Sequence, residues 1–234
     1  MVAFAYKNQG LKQHSEKTMQ YALEYASKNY AEVCVRRIKA ASKTNINYSI
    51  DEFLELVRIA AILHDSGKAA DKYQSQFNSP PPEKPSFSFH EIPSAIIAKT
   101  LMDRSGYSSD SILFVSLAVL FHHTAMRSFD QQERFLSSMR QPWTFTRCKS
   151  DLEDICSPIF GSEFPLRNIG KQEAKDFFEW IKRVAGNQNK SHFIKLYCLI
   201  LNPVIYGDNI DAKSRGESER KSRFVEELEE TING

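Results

Sequence analysis

Three segments of this chain are apolar enough to demand burial as helices, and ionisable residues stand at or just beyond the end of each. Segment 51–63 sets Phe53, Leu56, Val57, Ala60 and Leu63 at the three- and four-residue spacing of one buried face. Segment 111–123 (SILFVSLAVLFHH) is apolar on nearly all sides, which suits a helix surrounded by other helices. Segment 191–206 (SHFIKLYCLILNPVIY) reads the same way, with Pro203 marking its final turn or a kink. Helical patterning also covers about 12–30, 66–77, 92–104, 171–185 and 217–231. No stretch alternates with period two between hairpin turns, so no sheet is expected. The fold class that follows is all-α.

A chain of 234 residues with 41% hydrophobic and 26% charged residues can bury a real core, and one domain spanning 1–234 accommodates it, with a core at about 11–212. Two stretches break the helical pattern. Residues 78–88 hold four of the nine prolines and read as an exposed loop. Residues 141–170 are irregular, aromatic and proline-punctuated, and read as short helices over the core or as a lid. The C-terminal stretch from Lys213 is highly charged, with an amphipathic pattern through Phe224, Val225, Leu228 and Ile232. A net charge of +2 says little about partners. The four cysteines are scattered, with no C-x-x-C pair, which argues against a zinc knuckle or a disulfide framework. No leader-like segment opens the chain, and the longest apolar run, Ile112 to Phe121, is half of what a membrane span needs. A soluble cytoplasmic protein is the expectation.

The histidines carry the chemistry. There are six: His14, His64, His90, His122, His123 and His192. His64-Asp65 closes the first apolar helix and continues as Ser-Gly-Lys; His122-His123 closes the second; Asp208 follows the third in Tyr-Gly-Asp-Asn-Ile-Asp. Any one of these has an ordinary explanation as a helix cap or a satisfied core group. Together they put imidazole and carboxylate at helix ends that can meet at one mouth. Such a mixed nitrogen and oxygen ligand set suits Mn, Fe, Co, Ni or Zn. Asp211 competes with Asp208 as the late ligand, and Asp208 is preferred because it comes directly after the apolar helix. His192 reads as structural, and Glu91 as a group that orients a neighbouring ligand, caps a helix or is simply solvated.

HDSGK (64–68) resembles the defining string of the HD superfamily of metal-dependent phosphohydrolases. FHEIPSA (89–95) and FHHT (121–124) narrow the resemblance to the HD nuclease of type I CRISPR interference. The likeness runs from His14 to about Arg215 and leaves 141–170 unmatched. It implies an HD-domain orthogonal helical bundle holding two divalent ions, drawn from Mn, Mg, Ni, Co or Fe. Asp65 would bridge them, with His14, His64 and Asp208 completing one site and His90, His122 and His123 the other. Lys68 would stand beside the scissile phosphate, and Ser214 and Arg215 would contact phosphate. The implied substrate is single-stranded DNA, with RNA also open. The implied partners are a separate helicase and a crRNA-guided surveillance complex. No G-x-x-x-x-G-K-[ST] phosphate loop occurs, since Gly67-Lys68 is followed by Ala69, so unwinding would come from that partner. Basic residues Arg36, Arg37, Lys39 and Lys43, and Lys213, Arg215, Arg220, Lys221 and Arg223, could track a strand or merely be solvated helix faces.

Two other readings compete. An HD enzyme acting on small nucleoside phosphates would share the core but need a closed pocket with a base-recognition residue. A non-enzymatic relative would show eroded ligands, whereas all seven ligand positions carry competent side chains.

Overall fold

The computed structural model describes residues 2–41, 47–78, 82–123, 127–161, 164–165, 168–185 and 194–215. Two short strands, β1 (Phe4–Tyr6) and β2 (Gln9–Gly10), form a hairpin that leads into α1 (Leu11–Tyr25) and α2 (Lys28–Ala41). Next come α3 (Ile50–Leu63), a 3-10 turn at Ser66–Ala69, and α4 (Asp71–Gln74). Then follow α5 (Glu91–Arg104), α6 (Ser109–Leu120), α7 (Phe129–Ser138), β3 (Trp143–Thr144), α8 (Lys149–Phe160), β4 (Asn168–Ile169), α9 (Lys171–Ala185) and α10 (Cys198–Ser214). β3 and β4 pair antiparallel. The fold is all-α apart from these two strand pairs.

The expectation of no sheet is corrected by the two pairs. Strands of two or three residues are too short to print an alternation in sequence. The helix expected over 12–30 is divided at Ala26 and Ser27, and the one expected over 66–77 is split between α4 and flanking 3-10 turns. Elements α2 and α7 had no sequence expectation of their own. Region 141–170 holds β3, α8 and β4, and α8 buries Leu152, Ile155 and Cys156 on a side that packs against α1 and α3. The segment expected as helix 217–231 lies outside the described residues, as does His192.

Helices α3 and α6 form the centre, and every residue of α6 from Ser111 to Leu120 is buried. Helix α3 starts on a capping box in which Ser49 and Glu52 satisfy each other's backbone N–H groups, at 3.1 and 2.7 Å. Helix α10 continues through Pro203. A proline there deprives the carbonyl four residues earlier of its N–H partner, and the Tyr30 hydroxyl fills the gap by donating to Leu199 O at 2.8 Å. The helix therefore continues to Ser214 and carries Asp208 and Asp211 inside it rather than beyond it. Gly207 lets α10 meet α1 closely, since a Cβ there would stand 2.3 Å from Thr18 O. No helix of the described residues is long and apolar enough to cross a membrane.

Candidate metal centre

The HD string and the HE string interlock through backbone. The turn after α3 presses against the start of α5 so tightly that a Cβ on Gly67 would lie 2.3 Å from His90 O. Ser94 Oγ accepts from Gly67 N–H at 2.8 Å and donates to His90 O at 2.9 Å. Glycine and serine in these strings are thus packing residues, and their close fit brings His90 to Asp65.

Asp65 sits at the middle of the site, 1% exposed. Its Oδ2 lies 2.9 Å from His14 Nε2, 3.4 Å from His64 Nε2 and 2.6 Å from Lys68 Nζ. Its Oδ1 lies 2.7 Å from His90 Nε2 and 3.4 Å from His122 Nε2. One carboxylate therefore turns one oxygen to each of two histidine pairs. Burial opposes ionisation of Asp65, but Lys68, His64 and His90 outweigh it and hold the carboxyl well below its usual range.

The four imidazoles are oriented from behind. Nδ1–H of His64 donates to Ala61 O at 2.7 Å, of His90 to Phe87 O at 2.7 Å and of His122 to Val119 O at 2.6 Å. His14 Nδ1–H donates to the Asp211 carboxylate at 2.7 Å. All four acceptors are oxygens, so the protons lie on Nδ1 and the Nε2 lone pairs point inward. His14 Nε2 and His64 Nε2 are 3.2 Å apart, and His90 Nε2 and His122 Nε2 are 3.3 Å apart. Two facing lone pairs at that distance repel unless a cation, either a proton or a metal ion, lies between them. The donor set therefore fits divalent metal, and two overlapping groups offer ligand atoms within 4.8 Å of one another: His14, His64 and Asp65, and Asp65, His90, His122 and His123.

Electrostatics differ between the groups. Burial works to keep His64 neutral, yet Asp65 and then Asp208 raise its pKa. Burial lowers the pKa of His122, and burial with the neighbouring His122 and His90 holds His123 well below the usual histidine range.

Asp208 stands just outside the first group, its Oδ1 3.6 Å from His14 Nε2. Asp211 is fully buried and backs His14, taking further hydrogen bonds from Gln9 Nε2 at 3.0 and 3.2 Å and from Arg215. Asp208 and Asp211 share a face of α10 because the helix continues past them. Arg215 pairs with Asp211, donates to Gln9 and lies over the Tyr6 ring at 3.8 Å, bracing the carboxylate that backs His14. Ser214 donates its hydroxyl to Asp211 O at 2.7 Å. Lys68 is 3% exposed, with its ammonium over the Tyr6 and Phe87 rings at 4.4 and 5.0 Å. Of the basic residues named from sequence, Arg36, Arg37 and Lys39 lie exposed on α2, and Lys43, Arg220, Lys221 and Arg223 lie outside the described residues.

Sequence reasoning missed Gln9, Tyr6 and Arg127. The first two belong to the hairpin that closes over His14 and Lys68. Arg127 pairs with the fully buried Glu91 at 2.9 Å and covers the Phe89 ring at 4.6 Å, tying the chain after His122-His123 to the HE turn. The one signal for Arg127 was its place four residues past the paired histidines.

A family model described as HD domain matches residues 11–149. The chain is 27% identical over 244 residues to the CRISPR-associated endonuclease Cas3-HD of Saccharolobus solfataricus, covering 98% of this chain and 96% of that protein. The solved CRISPR-associated Cas3 HD domain protein of Methanocaldococcus jannaschii superposes with a TM-score of 0.64 at 21% identity, covering 87% of this chain and 99% of that one.

Proposed function

Because the chain belongs to the HD-domain family, we propose that it is a metal-dependent nuclease that hydrolyses phosphodiester bonds of single-stranded DNA in CRISPR antiviral defence. The observation that carries the reading is Asp65, whose two carboxylate oxygens each face a separate pair of inward-pointing imidazoles. Its likeness to the Saccharolobus endonuclease along nearly the whole of both chains supports the CRISPR setting. A separate helicase and a crRNA-guided complex would deliver the strand.

In this reading His14, His64 and Asp65, with Asp208 beside them, hold one divalent ion, and Asp65, His90, His122 and His123 hold a second. Such ions lower the pKa of water toward about 7 and offset charge on phosphate oxygens. The chain's own contribution is positional. Backbone carbonyls and Asp211 fix each imidazole so that its lone pair needs no reorganisation. Lys68 brings a positive charge to the same oxygen of Asp65 that the His14 pair faces, where it can offset charge on a phosphate oxygen. Nothing in this set reads a base edge, so cutting would depend on backbone rather than sequence. RNA shares that backbone chemistry and belongs in the test.

The test is degradation of end-labelled single-stranded DNA and RNA by purified protein, with EDTA and with added Mn²⁺, Mg²⁺, Ni²⁺ or Co²⁺. Asp65→Ala and a panel of free nucleotides run beside it. Metal-dependent cleavage of DNA that the variant lacks supports the reading. Phosphate release from a nucleotide with DNA left intact would sink it and favour a nucleotide phosphohydrolase.

A further inference from the structure

Lys72, four residues beyond Lys68 and on α4 rather than on the 3-10 turn, has surroundings that the metal site does not explain. Much of the residue meets solvent. Its ammonium, however, lies over three rings: Trp143 at 4.6 Å, Tyr73 at 4.7 Å and Phe135 at 5.6 Å from the centroids. That loss of water moves its pKa from 10.5 down to about 8. No carboxylate among the described residues pairs with it. The adjacent Asp71 is committed elsewhere, accepting from Thr144 Oγ1 at 2.8 Å, Thr146 Oγ1 at 2.6 Å and Arg147 N–H at 2.9 Å. An ammonium seated on three ring faces, with no carboxylate beside it and one side open to solvent, can take an anion from outside the chain.

The platform under it is continuous with the metal site at two points. Phe135 stacks on Phe89 with centroids 4.0 Å apart and planes 11° from parallel. Phe89 directly precedes the ligand His90 and has φ 66°, the left-handed region. A non-glycine residue is strained there, and the Phe135 stack and the Arg127 guanidinium over its ring hold it in place. At the other point, Tyr73 meets Phe87 at 5.9 Å, and Phe87 carries the Lys68 ammonium. Lys68 and Lys72 are therefore held by one aromatic cluster, the first at Asp65 and the second farther out.

We propose that Lys72, on the face built by α4, α7 and β3, binds a backbone phosphate of the nucleic-acid strand next to the scissile one. The assignment rests on the nuclease reading above. The ligand is the sugar–phosphate backbone of a single strand, because an ammonium on aromatic faces offers charge and no pattern of donors for a base edge.

The experiment measures cleavage of a single-stranded DNA oligonucleotide at several salt concentrations by the wild type, Lys72→Met, Lys72→Gln and Lys72→Arg. Thermal unfolding of each protein is recorded alongside. Both neutral variants are expected to raise KM several-fold, with kcat held within about twofold, the mark of lost uniform binding. The slope of log KM against log salt is expected to fall by about 0.7, the value of one single-strand phosphate contact. Lys72→Arg restores the slope, whereas a merely structural lysine would move the melting temperature and leave the slope alone. Cleavage by the wild type with the same slope in either neutral variant overturns the assignment of Lys72 and leaves the nuclease standing. A wild type that cuts no oligonucleotide with any divalent metal overturns the nuclease reading and this inference with it.

Discussion

Asp211 supplies no ligand atom to either histidine group, yet it decides what His14 can do. Its carboxyl is held below the usual range: burial opposes this, and the hydrogen bond and charge of His14 outweigh it. Asp211→Asn keeps the shape but weakens the pull on Nδ1–H, and loss of such a partner costs metal affinity about 10–100-fold. Calorimetric titration with Mn²⁺ should show one site weakened and the His90 site retained. The contrast between His64 and His122 gives a second expectation. Protons compete with metal for Nε2, and His64 holds its proton to higher pH than His122 or His123. As pH falls through the histidine range, the His14–His64 site should therefore lose metal first. Co²⁺ absorbance titrated against pH would check it, and simultaneous loss at both sites would contradict it.

At the scale of elements, Asp65 and His90 are brought together by close backbone approaches, reinforced by the Ser94 hydroxyl. Gly67, in the turn that packs against the start of α5, makes one of the two tightest, matched by Gly207 between α10 and α1. Gly67→Ala must push the turn after α3 away from His90, at an overpacking cost of about 1–3 kcal/mol. The expected outcome is a lower melting temperature together with loss of cleavage, since Asp65 and His90 ride on the two parts that separate. Asp71 does comparable work outside the site by pinning residues 144–147 to α4. Burial raises its pKa, but hydrogen bonds from Thr146, Arg147 and Thr144 outweigh that and bring it below 3.8. Its contribution is thus complete above the unfolded value and is lost as pH falls through the folded one. Asp71→Ala should cost about 1–3 kcal/mol at pH 7 and progressively less as pH falls below 3.8 toward the folded value, read by urea unfolding across that range.

Across the whole molecule, the site gathers side chains from α1, from the end of α3, from the turns before α5 and after α6, and from α10. Without a cation, the facing imidazole pairs oppose the packing that brings these elements together. Divalent metal should accordingly raise thermal stability. For one site at a hundredfold excess over Kd the gain is about 2.7 kcal/mol. Scanning calorimetry with and without EDTA measures it, and an unchanged transition would argue that neither histidine group binds metal in the folded protein.

The all-α class, the extents of α5 and α9 and the set of histidines around Asp65 were legible in the sequence. Helical periodicity and residue chemistry are local properties, written into runs of ten or so positions. The order of HD, HE and paired-histidine strings further identified the family, even though the reason for the glycine and serine in them became visible only when two turns met. Other features were settled by tertiary contact. The late aspartates looked like residues beyond a helix because Pro203 reads locally as a stop. Tyr30, far away in the chain, satisfies Leu199 O and lets α10 carry Asp208 and Asp211 together. Arg215 looked like a phosphate contact; it pairs with Asp211 one turn back in α10, and it reaches Gln9 and the Tyr6 ring because the end of α10 lies beside the β1–β2 hairpin. The hairpin, the Glu91–Arg127 pair and the aromatic seat of Lys72 join residues distant in sequence, and no short-range pattern encodes such meetings. Sequence determined which groups were present and which helices bore them; packing decided which would touch, because contact energy depends on distance in space and not on separation along the chain.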